Sequence, residues 1–169
     1  MTEPQGLDQG SPYVKVWFPL VQTDGWPPVS GENVWTTEEG SNRYEIANVP
    51  FFVRDIAVGD IVRAELDERG ELQVQEKIQW AGSCTIRIVP LPDGGLEDQR
   101  QRILDMFAPL GLDGEGIAAF DLVALNVPDN VDYRPIKTLL RAGYDKGWWD
   151  CEEGCIGDRW AETEPQVRP

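Results

Sequence analysis

The chain has 169 residues, of which 30 are acidic and 15 basic, giving a formal net charge of -15. This length fits one domain or two small lobes. The negative field disfavours nucleic acid and anionic membranes as partners and favours a basic protein, although the charge also serves solubility alone. Histidine is absent, which excludes Ser-His-Asp triads, Cys-His pairs and histidine-ligated zinc. Catalysis by carboxylates, lysine or tyrosine stays open, but a non-enzyme is favoured.

The sequence shows no recognisable membrane-spanning or secretion segment, which predicts a cytoplasmic location. The sequence contains no apolar run of the roughly 18 residues that a membrane span needs. Met1–Ser11 is polar and acidic, unlike a secretion signal. An odd count of three cysteines suits a reducing compartment better than a disulfide framework.

Residues 1–12 are polar and are predicted to be a disordered lead-in. Residues 13–82 then carry short β-rich stretches separated by turn residues, without helical periodicity. This region is predicted to be a small β-barrel or curled antiparallel sheet. Its strands are predicted at Tyr13–Leu20, Glu32–Thr37, Arg43–Val49, Ile61–Leu66 and Leu72–Ile78.

The pattern changes after Gly82, where strand-like and helix-like segments alternate. The order predicts a β-α-β-α-β lobe over residues 83–158, half of a ferredoxin-like sandwich, and hence an α+β protein. Residues 159–169 are predicted to be a loose tail, with Trp160 as a candidate anchor of its start. The elements are predicted at Ser83–Val89, Leu96–Leu110, Ile117–Val127, a helix capped by Asp132, and Trp148–Glu153.

Several phrases resemble an uncharacterised bacterial family, catalogued as a domain of unknown function, family 4265. The resemblance covers about residues 13–156 and implies a bacterial cytoplasmic protein. It implies no activity and no catalytic residue. The phrases are Val14–Leu20, Asp24–Val29, Val49–Phe52, Ser83–Arg87 and Gly143–Cys155.

The three cysteines are a weak candidate for metal binding. Cys151 and Cys155 are close enough in sequence to chelate zinc, with Cys84 as a third ligand. A structural zinc site normally has four ligands, and a fourth is not evident. We therefore predict no metal or cofactor and three free thiols.

The candidate partner-binding residues are aromatic and acidic. On a strand, Trp148, Asp150 and Glu152 share one face, while Trp149, Cys151 and Glu153 share the other. An exposed aromatic beside carboxylates suits docking of a basic protein. The alternative is that both tryptophans are core and the acids form a solvated rim.

Trp26 precedes two prolines in a stiff loop and is a further candidate for partner contact. The loop alternatively covers the open end of the barrel. These features together predict a non-catalytic protein-binding module, most concretely an immunity protein, antitoxin or inhibitor of a basic toxin or nuclease. The alternatives are a carboxylate- or cysteine-dependent enzyme or tailoring protein, and a regulatory adaptor of a larger enzyme.

Overall fold

The computed structural model describes residues 11–169. Most of the predicted lead-in, residues 1–10, lies outside the described part. The chain divides into two units, Met1–Gly82 and Ser83–Pro169. Together they form a mixed α+β fold in which antiparallel strands dominate.

Five strands close into a barrel in the N-terminal unit. They are β1 (Tyr13–Pro19), β2 (Gly31–Gly40), β3 (Arg43–Ile46), β4 (Ile61–Leu66) and β5 (Leu72–Gln79). Each pairs antiparallel with the next, and β1 closes on β5 through a parallel bridge between Trp17 and Gln73. Inward-facing apolar residues such as Val16, Val34 and Val62 fill the interior. The curled sheet predicted for this region is therefore present.

A four-stranded antiparallel sheet forms the C-terminal unit. Its elements are β6 (Cys84–Pro90), α1 (Arg100–Phe107), β7 (Asp113–Ile117), β8 (Leu122–Val127), α2 (Tyr133–Asp145), β9 (Trp149–Cys155) and α3 (Asp158–Glu162). The strand order is β7-β8-β6-β9. Ile103 of α1 and Ile136 of α2 share one apolar cluster with Ile86 and Val123 of the sheet, so both helices pack on the same sheet face.

The predicted long strand Ile117–Val127 is wrong in one respect. Ile117 ends β7, a short 3-10 turn follows, and β8 begins only at Leu122. Asp121 between them has a left-handed φ of 44°, which interrupts an extended strand. The unit is therefore β-α-β-β-α-β in its first six elements, one strand more than predicted.

The C-terminal tail, predicted to be loose, packs against this unit instead. Trp160 of α3 and Val167 are buried in the same core cluster. The guanidinium of Arg159 donates to the carbonyls of Asp129 and Val131. An aromatic and an aliphatic side chain thus supply the hydrophobic contacts that fix the tail.

Candidate functional site

The strand β9 carries most of the predicted partner-binding residues. Trp149 is fully buried, and its indole N–H donates to the Leu140 carbonyl at 3.0 Å. Gly143 makes room for this ring, because a Cβ there would lie 2.1 Å from it. Trp148 is half-buried, packs edge-on against Trp149, and has the Lys146 ammonium 4.5 Å from its ring centroid. Neither tryptophan is therefore a freely exposed anchor.

The three carboxylates of β9 all have partners within this unit. Asp150 pairs with Arg168 at 2.7 Å. Glu152 pairs at 3.4 Å with Arg87, which is fully buried. The Glu153 carboxylate accepts the indole N–H of Trp160 at 2.7 Å. The structure thus brings these acids to one strand, but distributes them among separate internal contacts.

A buried lysine under the tail was not identified from the sequence. The ammonium of Lys137 donates to the carbonyls of Trp160 at 2.7 Å and Thr163 at 2.6 Å. Burial lowers the pKa of Lys137, while the nearby Glu153 carboxylate opposes this shift. Its position in α2, in phase with Leu140 and Ile136, was the only available signal of burial. Lys137 anchors the tail rather than facing a substrate.

The cysteines do not form a shared ligand set. Register places Cys155 opposite Thr85 and Cys151 opposite Ile88. Cys84, next to Thr85, therefore points to the sheet face opposite Cys155, and it lies roughly 13 Å along the strand from the level of Cys151. Within residues 11–169, no group of three or more cysteine, aspartate or glutamate side chains is placed to hold a metal ion.

All three thiols are buried. Burial raises the pKa of Cys151 to about 12, and the neighbouring Asp150 carboxylate adds to the effect. Burial also raises the pKa of Cys84. Since the thiolate is the nucleophile, these two cysteines are protonated and unreactive near neutral pH.

Two buried carboxylates in the barrel bind main-chain amides. Glu32 accepts the N–H groups of Phe51 at 2.7 Å, Phe52 at 2.8 Å and Val53 at 3.1 Å. This arrangement fixes the connection between β3 and β4 against β2, because one carboxyl group satisfies three donors that would otherwise be buried without partners.

Asp60 is fully buried at the start of β4. It accepts the N–H groups of Ala57 and Ala81, each at 2.9 Å, and pairs with the Lys77 ammonium at 3.0 Å. Its two oxygens are therefore occupied by structural partners, as are those of Glu32. Neither carboxylate is arranged as one of an acid–base pair.

Strand direction places four exposed apolar residues at one end of the barrel, the end that carries the β1–β2 and β3–β4 connections and the last residues of β5. We call this the loop end and define it by Val21, Trp26, Ile78 and Trp80. Their exposed fractions are 88%, 42%, 40% and 44%, and they are four of the six large apolar residues that are exposed among residues 11–169. Trp26 also packs edge-on against Phe52 at 5.8 Å. Trp26 is thus a predicted partner-binding residue whose aromatic ring is exposed to solvent.

No helix in the described part of the chain combines the length and apolar character needed to cross a membrane.

The fold has a counterpart among solved structures. It matches a structure titled "Novel crystal structure of a hypothetical protein from Neisseria gonorrhoeae" with a TM-score of 0.68 and 18% sequence identity. The match covers 89% of this chain and 99% of that chain, and at this identity it establishes similarity of fold alone. No curated protein matches the chain.

A family model described as "Domain of unknown function (DUF4265)" matches residues 32–151. The matched segment begins on β2 and ends on β9, so it includes most of both units. It agrees with the resemblance read from the sequence phrases. The chain therefore belongs to the family of domains of unknown function DUF4265.

Proposed function

We propose that this protein is a cytoplasmic, non-catalytic module that binds a basic protein partner. Its most concrete form is a bacterial immunity protein, antitoxin or inhibitor that neutralises a basic toxin or nuclease. The basic character of the partner is inferred from the net charge of -15, which attracts cationic surfaces and accelerates their encounter at low salt.

The observation that carries this proposal is the loop end of the barrel. Four exposed apolar residues at the same end of the barrel favour a contact surface there, whereas single exposed apolar residues scattered over a protein need no explanation. Trp26 is the preferred anchor, because tryptophan is enriched among the residues that dominate binding energy. The edge-on contact with Phe52 supports the ring from one side.

The state of the reactive groups supports binding over catalysis. The raised thiol pKa values of Cys84 and Cys151 disfavour the cysteine-dependent alternative. The carboxylates of Glu32 and Asp60 hold main-chain amides rather than a reacting group. These observations favour a role in which surface contacts, rather than buried chemistry, carry the function.

The proposal is tested by capture from a lysate of the native cell on the immobilised full-length chain. We expect a basic protein to be retained at low salt and released at about 0.5 M salt, where screening shortens the range of charge interactions to a few ångströms. Trp26→Ala should reduce the retained amount at least tenfold, since loss of a central anchor costs about 2 kcal/mol or more.

The matched control is Leu66→Ala. Leu66 is exposed to 68% but lies at the opposite end of the barrel, beside the β4–β5 turn, so this variant should capture as much partner as the unaltered chain. Equal capture by the Trp26→Ala variant, or retention of no basic protein, would contradict the proposal. Capture of a large enzyme whose activity the chain alters would favour the adaptor alternative.

We also propose that the C-terminal unit is a complete ferredoxin-like sandwich rather than half of one. The proposal is supported by its β-α-β-β-α-β order, its strand order β7-β8-β6-β9 and its antiparallel pairing. An experimental structure in which α1 and α2 cross the sheet differently from that fold would overturn this assignment.

A further inference from the structure

The outer edge of β9 is contacted at Asp150 and Cys151 by the last residues of the sequence. Among the strands of residues 11–169, in the order β7-β8-β6-β9, β9 pairs with β6 on one side only. We call residues 164–169 the terminal strap. Within it, Val167 is buried in the core cluster, and the Arg168 guanidinium donates to the Asp150 carboxylate and the Cys151 carbonyl. The strap thus satisfies polar groups of an edge strand that would otherwise face solvent.

Asp150 differs from the other two acids of β9 in how its partner is held. Arg87, the partner of Glu152, lies fully buried in a central strand, and Trp160, the partner of Glu153, is fully buried in the core. Arg168 and Asp150 are instead exposed to 50% and 48%. An ion pair this exposed contributes only about 0–1 kcal/mol, so this contact is the most easily exchanged of the three.

Of the two residues in this contact, Asp150 lies inside the family match and Arg168 lies outside it. The match ends at residue 151 and includes Asp150 and the Cys151 carbonyl, whereas the strap lies beyond it. The part of the edge at Asp150 therefore belongs to the matched segment, and the arginine that contacts it does not.

We propose that the β9 edge at Asp150 is a docking site for an arginine-bearing extended segment of a partner protein, and that the terminal strap occupies this site in the free protein. The strap is the template for the ligand. An apolar residue fills the position of Val167, and the following arginine donates to a carboxylate and a main-chain carbonyl. The inference deepens the proposed function and rests on it for the ligand being part of a protein.

Because the terminal strap is part of the same chain as its site, it competes strongly with a free segment of a partner protein. A segment joined to its site by a short linker acts at an effective concentration in the millimolar range, and a free segment must exceed this to replace it. Weakening the strap should therefore increase the apparent affinity for a free segment without any change at Asp150.

The experiment uses the full-length chain and a fluorescein-labelled synthetic peptide of residues 161–169. Fluorescence anisotropy should show at least tenfold tighter binding to a variant carrying Val167→Ala and Arg168→Ala than to the unaltered chain. Adding Asp150→Asn to that variant should weaken peptide binding about threefold to fivefold, as expected for the loss of an exposed ion pair. Alanine in place of arginine in the peptide should weaken it at least as much, because the hydrogen bond to the Cys151 carbonyl is lost as well. Arg102→Ala removes an exposed positive charge from α1 and is the matched control, expected to behave like the unaltered chain.

Equal peptide affinity for the folded double variant and the unaltered chain would overturn the proposal, as would peptide binding that Asp150→Asn leaves unchanged. If the double variant does not fold, an NMR experiment on the unaltered chain tests the proposal instead. The side-chain N–H resonance of Arg168 in a ¹⁵N-labelled chain should move to the free-arginine position in excess peptide, and an unmoved resonance would overturn the proposal. Because this experiment needs no cellular partner, its failure is separate from failure of capture at the loop end.

Discussion

Glu32 illustrates at the residue scale why a count of acidic residues is a poor guide to surface charge. The side chain is 5% exposed and binds three consecutive main-chain amides. Its neighbours in sequence, Gly31 and Asn33, gave no indication of this role, because the three donors come from residues about twenty positions later. The carboxyl group of Glu32 therefore serves folding rather than recognition.

Replacing Glu32 by glutamine should therefore destabilise the barrel. An amide group has one accepting oxygen, and its NH₂ group would face donors, so we expect a loss of about 3 kcal/mol from buried amides left without a charged acceptor. Denaturant unfolding monitored by tryptophan fluorescence measures this. Glu68→Gln, in the exposed β4–β5 turn, is the control and should change stability by less than about 0.5 kcal/mol. A similar small effect for both variants would refute the role of Glu32.

At the element scale, the sequence predicted those elements whose signal lies in their own residues, and missed those that depend on pairing with another strand. The β2–β3 hairpin was predictable because its turn residues, Gly40 and Asn42, adopt the positive φ values that such residues tolerate. Strand β7 was not predictable, because its segment Asp113–Ile117 contains two glycines and two acids, residues depleted in strands. Pairing with the apolar strand β8 holds it extended.

The candidate site shows the same limit. The sequence placed Asp150, Glu152 and Glu153 on one strand, and they lie there. Their partners, Arg87, Arg168 and Trp160, are distant in sequence or lie in a tail without periodicity. The spacing of residues within β9 carries no information about such contacts. The sequence therefore predicted an interaction surface on a strand whose carboxylates have partners within the same unit.

The N-terminus of α2 offers a prediction at this scale. Asp132 accepts the N–H of Arg134 at 3.0 Å, as a capping residue does. Asp132→Ala should cost about 1 kcal/mol of stability, whereas Asp132→Asn should retain the cap and cost much less. Thermal unfolding by circular dichroism distinguishes the two. Equal losses for both variants would mean that the side chain acts through its charge and not through the hydrogen bond.

At the scale of the whole molecule, buried ionisable groups predict the response to alkaline pH. Burial raises the pKa of Cys151 from 9.0 to about 12 and that of Tyr133 from 10.0 to about 12. Between these values the unfolded chain has released protons that the folded chain still binds, so stability must fall as pH rises. The lowered pKa of Lys137 acts in the opposite direction, but it is one group, and the raised pKa values of Cys84 and Tyr44 add to the decline.

We therefore expect the free energy of unfolding to be independent of these thiol and phenol groups below pH 9 and to decline from about pH 9 to 12. Each group contributes a slope of up to about 1.4 kcal/mol per pH unit. Urea unfolding at a series of pH values measures this slope. Cys151→Ala removes one ionisable group and should flatten the decline whatever its effect on absolute stability. An unchanged slope would show that the thiol ionises equally in both states.

The contacts of Asp60 also determine where the barrel can be separated from the rest of the chain. Its carboxylate reaches past the last residue of β5, Gln79, to hold the amide of Ala81. A fragment cut at Gln79 would contain the five described strands of the barrel and yet leave one oxygen of the buried Asp60 carboxylate short of a donor. A fragment ending at Gly82 would retain the contact. The C-terminal limit of a barrel fragment is therefore set by the hydrogen bond between Ala81 and Asp60, and not by the last residue of β5.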